Sequence, residues 1–146
     1  MIPSQPDEGD LAFLMSADVI LLAGGDVQHG WQVFDRSGLR ELIVRRYDEG
    51  AWLVGVSAGA VQLGLMGWTM TTSPDVTETF DTFQLIPYVI AAHDEGSDWA
   101  GLNQAVRSVK RAVRGVGLPT GGGAIYHAGD RLEPIRYPLY EIAVTA

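Results

Sequence analysis

Two hydrophobic periods alternate along this chain. Val19-Ile20-Leu21-Leu22 and Trp52-Leu53-Val54-Gly55-Val56 are short apolar runs, ended by Gly24-Gly25 and by Ser57-Ala58-Gly59-Ala60. Runs of this length, rich in branched residues, predict buried strands of a parallel sheet. Between them Leu39, Leu42, Ile43 and Tyr47 fall at helical spacing, with Gly50 as a stop and Asp35 or Ser37 as candidate N-caps. Further on, Leu85 to Ala92, broken by Pro87, predicts another strand. Leu102, Ala105, Val106, Val109 and Val113 then predict a helix over 97–113, with Lys110, Arg111 and Arg114 suited to its negative pole. Short strands are expected at 116–118, 124–127 and 140–144, with Gly121-Gly122-Gly123 as a turn between the first two. Residues 67–82 are Thr-rich, contain Pro74, and read as loop. Residues 1–10 read as a loose lead-in. With neither repeat nor linker, the expectation is one domain over 1–146. The alternation of strand and helix predicts an α/β fold with a mainly parallel sheet flanked by helices.

Composition narrows the class. A chain of 146 residues that is 47% hydrophobic and 19% charged is neither disordered nor a coiled coil. Its net charge of −8 argues against tracking nucleic-acid phosphates. With no cysteine, disulfides, thiolate nucleophiles and cysteine-ligated metals are excluded. The best apolar run, 17–23, falls far short of the roughly 20 residues that cross a bilayer. The opening MIPSQPDEGD lacks the basic start and apolar stretch of a signal peptide. A cytoplasmic protein with no membrane partner is the expectation.

The chemistry concentrates at Gly55-Val56-Ser57-Ala58-Gly59, a G-x-S-x-G sequence between a predicted strand and a predicted helix. Such a turn forces the serine into a strained backbone conformation that only very small neighbours tolerate. It lifts the hydroxyl above the sheet and brings the Ala58 N–H to a helix start, where it can hold an oxyanion. The bland alternative is tight helix–strand packing. Gly24-Gly25-Asp26 ends another strand on the same edge and offers a second N–H donor, or simply a turn. A serine nucleophile needs a base, and His29, His93 and His127 are the three histidines. His93 follows a predicted strand, where α/β sheets place their sites. His29 lies in the loop after Gly-Gly-Asp, and His127 falls inside a late strand. Asp75, Glu78, Asp81, Asp94 and Glu95 compete as the acid that orients the base. His93-Asp94-Glu95 splays its side chains, a poor metal site, so neither metal nor cofactor is expected. The triple glycine lacks the Lys-Ser/Thr of a phosphate loop.

The segments 17–26 and 55–60, and Phe80-Asp81 through Pro87 to His93, together resemble the dipeptidase E and cyanophycinase family of serine peptidases. That family is similar in fold to class I glutamine amidotransferase domains, a flavodoxin-like arrangement. The histidine follows the serine by 36 residues, as in the dipeptidase E branch. The resemblance implies Ser57 as nucleophile, His93 as general base and the N–H groups of Gly25 and Ala58 as oxyanion hole. The third member would come from the intervening loop, Asp75 first and Glu78 second. The implied substrates are short peptides, including those with aspartate at the amino side of the cut, although no arginine matches a carboxylate clamp. Family members carry several strands before the matched segment. An N-terminally reduced sheet would then leave edges and apolar faces exposed, and three explanations compete: the sequence is a piece of a longer chain, a partner chain covers the sheet, with a homodimer preferred, or the reduced form folds alone. The rivals are a non-catalytic relative that binds a small ligand or serves as a partner subunit, and an amidotransferase-like domain, disfavoured by the missing cysteine.

Overall fold

The computed structural model describes residues 1–70, 77–109 and 111–144. The chain opens with α1 (Glu8–Met15), β1 (Val19–Leu22), α2 (Val27–Ser37), α3 (Leu39–Asp48) and β2 (Trp52–Gly55). Next come α4 (Ala58–Leu63), the strands β3 (Met66–Met70) and β4 (Thr77–Asp81), β5 (Tyr88–Ala92), a 3-10 turn (Glu95–Ser97) and α5 (Ala100–Ser108). It closes with β6 (Val113–Leu118), β7 (Gly123–His127), β8 (Arg131–Ile135) and β9 (Tyr140–Val144).

β1 pairs in parallel with β2, Val19 opposite Trp52 and Leu22 opposite Gly55. β5 pairs in parallel with β6, and β9 joins β6 antiparallel. The ribbons β3–β4 and β7–β8 are antiparallel. The sheets are therefore mixed, where the alternating pattern predicts a mainly parallel one. Each parallel pair keeps its helical crossover, α2–α3 for the first and α5 for the second, as parallel strands require.

The two parallel pairs are joined by α4, which packs on β1, β2 and β5 and is buried throughout, Ala58 to Leu63. β5 is covered on both faces. Val89 and Ala91 face Leu102, Ala105 and Val106 of α5, while Tyr88 and Ile90 pack with Ala60 and Val116. β1 is covered on one face only. Ile20 and Leu22 join Leu14, Leu39, Ile43, Leu63 and Phe83, whereas Val19 and Leu21 remain 60% and 61% exposed.

Several local expectations are corrected. Residues 8–10 belong to α1, closed by a reciprocal capping box between Asp7 and Asp10. His29, expected in the loop after Gly-Gly-Asp, lies instead in α2, which is capped by Asp26, whose carboxylate accepts from the His29 N–H at 2.6 Å. Gly38, in the left-handed region at φ +73°, ends α2 and starts α3, so neither Asp35 nor Ser37 caps that helix. The expected loop 67–82 contains β3 and β4, because threonine and aromatic residues favour a strand ladder. The helix expected over 97–113 is shorter, since the β-branched Val113 already belongs to β6. Among the described residues, no helix is long and apolar enough to cross a membrane.

Candidate active site

The carboxyl ends of β1, β2, β5 and β6 carry four turns that touch one another in series. The central one is residues 56–58. Ser57 has φ +53° and ψ −113°, a conformation that costs a non-glycine residue about 1–3 kcal/mol. Its neighbours explain how the chain tolerates it. A Cβ on Gly55 would lie 2.6 Å from the Ala60 backbone, and one on Gly59 only 2.1 Å from the Leu22 carbonyl oxygen. Both positions therefore let α4 lie directly against β1 and β2. The Val56 N–H continues the ladder to the Leu22 carbonyl at 2.9 Å, so the chain turns sharply at Ser57.

That turn brings Ser57 Oγ to 2.7 Å from His93 Nε2. His93 follows β5 directly, has φ +45°, and donates its backbone N–H to the Leu118 carbonyl at 2.8 Å. The imidazole is exposed and the serine half-buried, so an approaching substrate can reach both. The Gly24-Gly25 turn lies alongside, a Cβ on Gly24 falling 3.3 Å from Ser57 Cβ. Gly25 has φ +148°, which glycine alone adopts readily. Ala58 is the first residue of α4, so its N–H has no intrahelical acceptor. Among the described residues, neither the Gly25 nor the Ala58 N–H donates to a backbone carbonyl.

The carboxylates separate. Asp75 lies outside the described residues. Glu78 and Asp81 are exposed on β4, opposite Thr69 and Met66. Asp94 accepts from the Ser97 hydroxyl at 2.5 Å. Glu95 accepts from the Thr120 N–H at 3.0 Å, and its carboxyl is held below the usual carboxylate range, chiefly by its hydrogen bond with the Thr120 side chain. Thr120 carried no signal of its own in the sequence; the glycine run beside it marked only a turn. His29 is exposed on the first turn of α2. His127 pairs with Glu133 at 2.9 Å on the β7–β8 ribbon. Among the described residues, no three His, Cys, Asp or Glu side chains gather closely enough to hold a metal ion.

A separate polar groove of about 280 Å³ begins at Tyr88, at the opposite end of β5, with Arg114, Asp130 and Glu141 in its wall. Beside it the Tyr126 hydroxyl donates to Asp130 at 2.6 Å. That hydrogen bond to a carboxylate pushes the phenol up to about 12. None of the groove's lining comes from the Ser57–His93 turns.

Residues 4–134 match the family described as Peptidase family S51. The chain belongs to this family of serine-type peptidases. Its fold is similar to the crystal structure of a peptidase from an acI-B1 Actinobacterium, with a TM-score of 0.70 and 18% identity, over 96% of this chain and 62% of that one. A protein assigned as peptidase E from Listeria monocytogenes EGD-e superposes with a TM-score of 0.64 and 16% identity, over 97% of this chain and 68% of that one. This S51 chain thus spans less than two thirds of the first of those structures. No curated protein matches the sequence significantly.

Proposed function

We propose that this S51 member is a serine hydrolase of short peptides, with Ser57 as nucleophile and His93 as general base. The observation that carries the reading is the 2.7 Å approach of Ser57 Oγ to His93 Nε2 across two parallel strand pairs. Ser57 Oγ attacks the scissile carbonyl carbon while its proton passes to His93 Nε2. The carbonyl oxygen becomes an oxyanion, held by the N–H groups of Gly25 and Ala58. Collapse breaks the C–N bond, and His93 returns the proton to the leaving amine. A water molecule, deprotonated by the same imidazole, then hydrolyses the acyl ester and frees Ser57.

The acid that orients His93 is assigned to the segment between serine and histidine, Asp75 first and Glu78 second. Substrates include dipeptides with an amino-terminal aspartate, and the setting is a cytoplasm. A dipeptide panel tests the reading: the wild type cleaves a subset, and Ser57→Ala and His93→Ala lose turnover by about 10³-fold or more. Equal turnover in Ser57→Ala would refute it.

The outer face of β1–β2 favours a second reading. Val19, Leu21, Trp52, Val54 and Val56 are all exposed there, Trp52 at 71%. Parallel strands are normally covered on both faces. A second copy of the chain, or another protein, would cover this one, and a non-catalytic subunit would use it without hydrolysis. Sedimentation of the wild type and Leu21→Asp tests the second copy: a dimer that the substitution dissociates supports it, and a monomer at every concentration removes it.

A further inference from the structure

The turn after β6 takes no part in the proposed hydrolysis, yet it is tied to the 93–95 segment twice. The His93 N–H donates to the Leu118 carbonyl at 2.8 Å, and Glu95 Oε1 accepts from the Thr120 N–H at 3.0 Å. One bond runs from the histidine segment to the turn and the other runs back, so residues 93–95 and 118–120 are cross-linked at both ends. The cross-link falls where the backbone needs it. His93 at φ +45° occupies the left-handed region, which a non-glycine residue keeps only when its surroundings over-determine it. Nε2 lies at the far end of the ring. A relaxed backbone would carry it out of reach of Ser57.

We propose that Glu95 is a positioning residue for His93: clamped to Thr120, it fixes the 93–95 turn that delivers Nε2 to Ser57. The inference rests on the Ser57–His93 reading above. The Glu95 carboxyl is held below the usual carboxylate range, chiefly by its hydrogen bond with the Thr120 side chain. The other charged groups around these turns are engaged elsewhere or face solvent. Asp94 is bonded to Ser97, Asp26 caps α2, and Asp98, Glu78 and Asp81 are exposed. Among the described residues, none of them hydrogen-bonds to His93.

The turn geometry supplies a clean test. The Gly122 N–H donates to the Pro119 carbonyl at 2.9 Å and Gly121 has φ +72°, the pattern of a type II turn with Thr120 at the position proline favours. Thr120→Pro therefore deletes both Thr120 donors to Glu95 and keeps the turn. The probe is inactivation by a fluorophosphonate, which reports the reactivity of Ser57 separately from binding. Glu95→Ala and Thr120→Pro should each lower kinact by roughly tenfold, the scale expected of a small misplacement, with KI unchanged. Glu95→Gln, whose amide oxygen still accepts the Thr120 N–H, should recover part of the loss. The double variant should be no slower than either single one, because both break one link. Wild-type kinact in Glu95→Ala and Thr120→Pro, with Ser57→Ala unlabelled, overturns the positioning role and leaves the hydrolase reading standing. Labelling that persists in Ser57→Ala overturns the hydrolase reading itself.

Discussion

The two parallel strand pairs do the same job in unequal surroundings. β1–β2 delivers Ser57 and β5–β6 delivers His93, each from a turn at a carboxyl end. β5 is packed between α5 and α4, with Val89 at 0% exposure. β1 buries alternate residues only and shows Val19 and Leu21 to solvent. The site thus sits on the seam between a fully covered sheet and a half-covered one, with α4 as the shared wall. A reactive geometry needs only its immediate turns and one buried helix to be held firmly. The outer face of β1–β2 is free to serve something else.

The sharpest way to break this comparison is to split the seam. Gly59→Ala would place a methyl 2.1 Å from the Leu22 carbonyl, where backbone rather than a flexible side chain must yield. It should cost about 3 kcal/mol or more in a urea titration. A loss under about 0.5 kcal/mol, typical of surface changes, would mean that α4 does not lie against β1. Next in size is the covered sheet. Leu102→Ala, at a fully buried position, should cost about 2–5 kcal/mol at any protein concentration. Leu21→Ala should stay within about 0.5 kcal/mol in dilute monomer, and its cost should grow with concentration if a second copy covers the face.

Two titrations make smaller claims. Tyr126, raised to about 12 by its bond to Asp130, is stabilised in its neutral form. That stabilisation is complete below the ordinary value of 10 and disappears as pH rises through about 12. Tyrosinate absorbance should show one late-titrating phenol that moves back towards 10 in Asp130→Asn. Glu95 has the opposite sign. Its lowered carboxyl adds stability above pH 4.5 that fades as pH falls through its folded-state value. The small stability advantage of wild type over Glu95→Gln should therefore vanish in acid.

Strong local signals in the sequence mark elements that form. The apolar runs at 19–22 and 52–56 give strands, the second ending at Gly55, but both are half-exposed where their composition predicts burial; the helix starts at Leu39 as its spacing predicts. Tertiary context decided the rest. α2 was hidden because Gly30 sits in its interior; the structure explains that glycine by the Gln62 side chain, which would lie 2.6 Å from a Cβ there. β3 and β4 were hidden because their threonines suit either a loop or a ladder, and only the partner strand decides. Val109 and Val113 kept helical spacing by coincidence, and β6 claimed Val113 through its pairing with Val144. Glu95 was one of five competing acids, and nothing local distinguished it. Its partner Thr120 lies 25 residues further on.

The measurement that tests the account most directly is mass spectrometry after exposure to a fluorophosphonate. A single phosphonyl adduct on the peptide containing Ser57, absent in Ser57→Ala and strongly slowed in His93→Ala, is the predicted result. An unmodified Ser57 in folded protein, or an adduct that forms equally fast without the His93 imidazole, would contradict it.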